Sequence, residues 1–195
     1  LAIFYVVILC CLALIILLNF NTFTIILALG SMPMAFAYPL MKRFTYWPQL
    51  FLGITFNYGL ILGWTSIKSQ VDLIPILFYI GAIFWTLGYD TIYGFQDIKD
   101  DEIIGLKSTS IKFKKKPNIL LISCYSIFLL NLLAIGYYMN LNKFSLALYV
   151  LIFFQMFYFQ LKQLNVNTPA ICLKIFKSNN FLGFLVFFGL IVGKI

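Results

Sequence analysis

A polytopic bundle of transmembrane α-helices is the fold class this all-α sequence predicts, and three features predict it. Hydrophobic residues make up 63% of the 195-residue chain and charged residues only 10%, against roughly 25% charged in an ordinary soluble domain. The mean hydropathy is +0.98, which is more apolar surface than one globular core of this length can bury. The apolar residues fall in long runs and not in alternation. Helices that satisfy their own backbone groups are therefore expected, and a transmembrane barrel is not.

Seven stretches reach or approach the ~20 apolar residues that cross a bilayer: 1–18, 22–41, 47–66, 72–92, 118–139, 143–161 and 180–195. The first begins at Leu1 without a basic n-region, so it reads as a membrane helix of a longer protein and not as a secretory signal. Asn19 to Asn21 divides it from the second, which Pro33 and Pro39 are expected to kink or end. Lys42 to Tyr46 precedes the third stretch. Pro75 lies in the first turn of the fourth, where a missing backbone donor is tolerated. The fifth follows the lysine anchor Lys112 and Lys114 to Lys116, the sixth starts at Lys143, and the seventh follows Lys177. No Ser/Gly linker or low-complexity tract intervenes, so residues 1–195 are expected to form a single membrane-embedded domain.

Charge sets the expected orientation. With seven spans, alternate loops share a side, and three of them (Lys42 and Arg43, Lys99 to Lys116, Lys162 to Lys177) hold 2, 6 and 3 basic residues, or 11 of the 14. The other side keeps Lys68, Lys143 and Lys194. By the positive-inside rule the basic loops face the cytoplasm. The net charge of +8 then reports topology and an attraction to anionic membrane lipid, not nucleic acid. The absence of His excludes His-ligated metal and Ser-His or Cys-His nucleophiles. Cys10, Cys11, Cys124 and Cys172 form no CxxC pair and are expected to act as small hydrophobes.

Five of the six acids crowd into one short segment: Asp90, Asp97, Asp100, Asp101 and Glu102. If one helix ran through it, Asp90, Asp97 and Asp101 would form a stripe about 16 Å long, at about 1.5 Å and about 100° per residue. Like charges on one face repel unless a cation resolves them. Magnesium fits that role because it binds through one or two carboxylates together with substrate phosphates. Tyr38, Lys42 and Arg43 lie at the same expected side, where cations suit phosphate oxygens. Asn57 is a polar residue at membrane depth, read either as a cavity residue or as an interhelical hydrogen bonder.

These segments resemble a known family. Tyr89-Asp90-Thr91-Ile92-Tyr93 and Gln96-Asp97-Ile98-Lys99-Asp100-Asp101, with Gly105-Leu106-Lys107-Ser108-Thr109 beyond, resemble the second aspartate-rich motif of the UbiA-type intramembrane aromatic prenyltransferases. Tyr38-Pro39-Leu40-Met41-Lys42-Arg43, with Thr45 and Pro48-Gln49, resembles the YPxxKRxTxxPQ segment of the 4-hydroxybenzoate polyprenyltransferase branch. Phe56-Asn57-Tyr58-Gly59, Gly63-Trp64 and Asn179-Asn180 continue the likeness over essentially the whole chain.

The resemblance implies a nine-helix membrane bundle that transfers a polyprenyl group from polyprenyl diphosphate to the ring of 4-hydroxybenzoate, in ubiquinone biosynthesis. It implies Mg²⁺ held by Asp97 and Asp101, and Asp90, Lys42 and Arg43 as catalytic residues. Tyr38, Lys42, Arg43, Asn57 and Lys107 are the implied substrate-binding residues. The implied location is a bacterial or mitochondrial inner membrane, with the site facing cytoplasm or matrix. The family's first motif, NDxxDxxxD, is missing, since the acid preceding Asp90 is Asp72, on the wrong side. The seven stretches are then expected to be the family's last seven helices. The chain alone is expected to be inactive or incomplete, needing an N-terminal segment encoded separately or upstream. The alternative readings are another acceptor (homogentisate, a naphthoate or haem), an inactive remnant, or a cation transporter. The last predicts charges near mid-bilayer and paired repeats, and neither is seen in the sequence.

Overall fold

The computed structural model describes residues 2–195, so Leu1, the first residue of the first expected stretch, lies outside the described residues. The described chain is helical, with no strand. In order come α1 (Ala2–Leu17), α2 (Thr22–Ala37), a 3₁₀ turn (Tyr38–Leu40) and α3 (Met41–Phe44). Then follow α4 (Pro48–Phe56), α5 (Gly59–Lys68), α6 (Leu73–Gly94), α7 (Ile98–Ile104) and α8 (Thr109–Phe113). The chain finishes with α9 (Pro117–Tyr138), α10 (Lys143–Phe153), a π-helical segment (Phe154–Gln160), α11 (Leu161–Gln163) and α12 (Pro169–Lys194). Six helical segments are long and apolar enough to cross a membrane: Thr22–Phe44, Pro48–Lys68, Leu73–Gly94, Pro117–Tyr138, Lys143–Gln163 and Pro169–Lys194. The chain is an integral membrane protein. The expected seventh, the first stretch, forms the shorter apolar helix α1.

Local sequence explains most boundaries. Asn21 caps α2 by accepting from the Thr24 N–H at 2.9 Å, and Asn142 caps α10 by accepting from the Phe144 N–H at 3.0 Å. Both satisfy donors that a helix start leaves free. Proline opens α4, α9 and α12 at Pro48, Pro117 and Pro169, where its missing N–H costs nothing. Pro33 sits inside α2 without ending it, while Pro39 falls in the 3₁₀ turn that joins α2 to α3. The last span begins at Pro169, well before the expected residue 180, because Lys174, Lys177 and Asn179 dilute hydropathy without breaking the helix.

α6 is the hub. It packs along α9, against α4 and α5 on another side, and against α12. The largest fully buried side chains include Leu87, Ile92, Leu121, Tyr125, Met156 and Ile175, from α6, α9, the π segment and α12. Lipid-like surroundings supply little drive for helices to associate, so interhelical polar bonds weigh heavily. Tyr125 donates to Gln160 Oε1 at 2.6 Å. Gln160 Nε2 donates to Gln155 Oε1 at 2.8 Å and to Asn179 Oδ1 at 3.1 Å. Trp85 Nε1 donates to the same Asn179 oxygen at 2.9 Å. This chain ties α9, the π segment, α12 and α6 together. By contrast, α1 is exposed from Ile3 to Ile16.

Gln160→Leu removes three of these bonds and leaves the Tyr125 hydroxyl buried without its acceptor. Its expected cost is roughly 1–3 kcal/mol, read as a lowered thermal midpoint of the chain in detergent with helical content unchanged before the transition.

Candidate functional site

The acidic segment does not form one helix. α6 stops at Gly94, Phe95 to Asp97 make a turn, and α7 starts at Ile98. The expected stripe of three carboxylates is corrected accordingly: Asp90 belongs to α6, whereas Asp97 is the N-cap residue of α7 and Asp101 lies one turn on. The break lies at a close approach. A Cβ at Gly94 would overlap Ser110 Oγ and meet Gln49 Nε2 at 3.4 Å, so α8 presses on the end of α6 where only glycine admits it.

That approach is fixed by a buried neutral cluster. The Thr109 N–H donates to Gln49 Oε1 at 3.0 Å, and Ser110 Oγ donates to the Thr91 carbonyl at 2.8 Å. The Thr91 hydroxyl donates to the Leu87 carbonyl at 2.6 Å. The Thr109 hydroxyl, 2.6 Å from it, must then be its donor. Thr91, Thr109, Ser110 and Gln49 are all buried. They join the start of α4, the end of α6 and the start of α8. Sequence reasoning missed this cluster, although Gln49 and Thr91 stand out by the same signal that singled out Asn57, a polar side chain within an apolar stretch.

The cluster places α7 against α3. Gly105 ends α7 with φ +76°, a left-handed cap suited to glycine. The chain then turns so that the Lys107 N–H donates to the Lys42 carbonyl at 2.8 Å. Lys107 Nζ reaches the Phe44 carbonyl at 3.4 Å and lies 5.7 Å from the centre of the Tyr46 ring. Asp101 is only 7% exposed, and its carboxylate faces Lys42 Nζ at 3.4 Å. The Lys42 charge also acts on Asp90 and on Tyr38. Tyr38, Lys42, Lys107, Asp90 and Asp101 are thereby gathered at one end of the bundle. Arg43 and Asp97 are exposed beside them in sequence.

Asn57 stands apart. Its amide donates to the Gly53 carbonyl and to Thr86 Oγ1, each at 2.8 Å, and to the Ala82 carbonyl at 3.2 Å. Of the two readings open for it, the amide nitrogen serves the interhelical one, joining α4 to α6. Asp72 holds the opposite end, accepting from Trp64 Nε1 at 2.9 Å. Among the described residues no three His, Cys, Asp or Glu side chains converge on one metal position. The donors present, Asp97 with Asp101 on successive turns, suit a hard cation that takes its remaining ligands from phosphate and water.

Residues 1–188 match the UbiA prenyltransferase family. The chain is 39% identical over 194 residues to the mitochondrial 4-hydroxybenzoate polyprenyltransferase of Bos taurus, covering 94% of this chain and 50% of that protein. It is 38% identical over 185 residues to 4-hydroxybenzoate geranyltransferase 2 of Lithospermum erythrorhizon, covering 92% of this chain and 59% of that one. The apo structure of a UbiA homolog from Aeropyrum pernix K1 shares the fold, with a TM-score of 0.76 at 21% identity, over 92% of this chain and 67% of that chain. The chain spans about half the length of the mammalian relatives it matches.

Gly94→Ala forces Ser110 Oγ away from the Thr91 carbonyl, for an expected loss of roughly 1–3 kcal/mol. Ser110→Ala removes the clashing oxygen, so the double variant is expected to lose clearly less than the sum of the singles. Thermal midpoints of the four proteins in detergent measure that coupling, and strict additivity would contradict the contact.

Proposed function

The chain belongs to the UbiA prenyltransferase family, and we propose that it carries the diphosphate-binding half of an enzyme that prenylates 4-hydroxybenzoate. The observation that supports this most is the Lys42–Asp101 pair at 3.4 Å. It brings the segment carrying Tyr38, Lys42 and Arg43 onto the acidic segment, two pieces that are far apart in sequence. Relatives at 38–39% identity are named for this acceptor, and they are longer than this chain. An N-terminal segment, upstream or separately encoded, supplies the further carboxylates in this reading.

Each residue then has a definite task. Asp97 and Asp101 hold magnesium, which when bound neutralises charge on the donor's diphosphate. Lys42 leaves Asp101 for the diphosphate oxygens, Arg43 binds a neighbouring oxygen or the acceptor carboxylate, and Tyr38 and Lys107 line the same anion. The allylic C–O bond breaks and its electron pair departs with the diphosphate, whose developing charge the cations stabilise. The ring carbon ortho to the hydroxyl attacks the allylic carbon, and Asp90 accepts the proton that the ring releases. A membrane-embedded pocket keeps water from intercepting the cation. The protein resides in a bacterial or mitochondrial inner membrane, with this end facing cytoplasm or matrix, as the lysine-rich loops favour.

The test is prenylation of 4-hydroxybenzoate by membranes in which the chain is co-expressed with a family N-terminal segment bearing NDxxDxxxD. Asp97→Ala and Asp101→Ala are each expected to lower the rate on the order of a hundredfold or more, chelation to abolish it, and Mg²⁺ to restore it. Full activity in both variants would remove the metal assignment. Lys42→Met is expected mainly to raise the KM for the prenyl diphosphate.

A further inference from the structure

Four lysines crowd the junction of α8 and α9: Lys112, Lys114, Lys115 and Lys116, all exposed. Only one has a carboxylate partner among the described residues, Lys114 with Glu102. Three positive charges therefore stand without acidic partners within five residues. They also stand at a fixed level, because Pro117 opens a membrane-spanning helix directly after them.

The cluster is not a loose tail. Ser108 caps α8 through the Ile111 N–H at 3.2 Å, and the next two residues, Thr109 and Ser110, are pinned by the buried hydrogen bonds to Gln49 and Thr91. Lys112 Nζ lies 4.5 Å from the centre of the Trp47 ring, and Trp47 meets Phe113 edge-on at 5.8 Å. Aromatic rings beside lysines at a helix entrance mark the level of lipid headgroups, and the ring under Lys112 holds its ammonium outward. Exposed ammonium groups clustered at that depth match phosphate-bearing headgroups, while the apolar flank of α9 below them suits their acyl chains.

We propose that the α8–α9 lysines, with Trp47 beneath Lys112, form a binding surface for anionic lipid headgroups of the leaflet next to the carboxylate end. Headgroups engaged there hold α8 at the membrane surface, and through Thr109 and Ser110 they brace the start of α4 and the end of α6. The surface lies outside the residues assigned to prenyl transfer, so the proposal stands whether or not that assignment does.

Native mass spectrometry of the detergent-purified chain tests it. The full chain is mixed with equal amounts of dioleoyl phosphatidylglycerol and dioleoyl phosphatidylcholine, with and without inorganic phosphate. Preferential retention of phosphatidylglycerol, undisturbed by phosphate at matched ionic strength and weakened as ionic strength rises, is expected. Lys112→Gln/Lys115→Gln/Lys116→Gln is expected to lower that retention on the order of a hundredfold, since each lysine near an anionic surface counts for about a factor of five. The corresponding arginine triple keeps it. Should the glutamine triple lose helical content, the exposed pair Lys115→Gln/Lys116→Gln, expected to lose a smaller part, replaces it. Equal retention of both lipids, displacement by inorganic phosphate at matched ionic strength, or an unchanged preference in the folded glutamine variant would overturn the proposal.

Discussion

The bond between the Thr109 N–H and Gln49, together with the Ser110 hydroxyl on the Thr91 carbonyl, is the constraint from which the carboxylate end takes its shape. Buried backbone polar groups in a membrane protein must find partners within the protein. A loop that leaves the end of α6 and returns to start α9 has few ways to do so. Here a glutamine from α4 and two hydroxyls from α8 close the account, and Gly94 removes the side chain that would keep them apart. Once α8 is seated, the turn at Gly105 and the Lys107 N–H on the Lys42 carbonyl follow. Asp101 is then carried to Lys42.

A second polar chain does the corresponding task deeper in the bundle. Gln160 is wholly buried, and its amide joins Tyr125, Gln155 and Asn179. The π-helical stretch Phe154–Gln160 ends on it, and Met156 and Gln160, four residues apart, are both buried. The Trp85 indole, held by Asn179, stacks on Phe128 at 5.1 Å and meets Tyr89 at 5.7 Å. Neutral hydrogen bonds thus set the aromatic packing of α6 as well as its end.

Hydropathy made the six long spans legible, because continuous apolar runs have one physical solution in a bilayer. It failed at the last helix, where Lys174, Lys177 and Asn179 lie within α12: a window average cannot tell a polar residue that ends a helix from one that serves another helix. The carboxylate stripe failed for a different reason. Angular bookkeeping holds only within one helix, and α6 ends at Gly94, where Ser110 packs against it in a non-local contact. What survived is the local part, Asp97 and Asp101 on adjacent turns. That Lys42, Lys107 and Asp101 share one side was legible from the basic loops and the motif likeness, but their contacts were not. The Lys42–Asp101 contact spans 59 residues, with nothing in the intervening pattern to announce it.

The charged pair at this end is lopsided. Lys42 has a side chain 44% exposed and Asp101 one only 10% exposed, so taking Lys42 away leaves a largely buried carboxylate that needs another cation. The neutral cluster beneath is buried as well and is costly to open. Hydroxyls and an amide thus set the geometry of this end, and the ammonium and carboxylates lie above them. In the function proposed above, phosphate would take up Lys42 and a cation would take its place at Asp101, and the buried hydrogen bonds beneath would not have to open for that exchange.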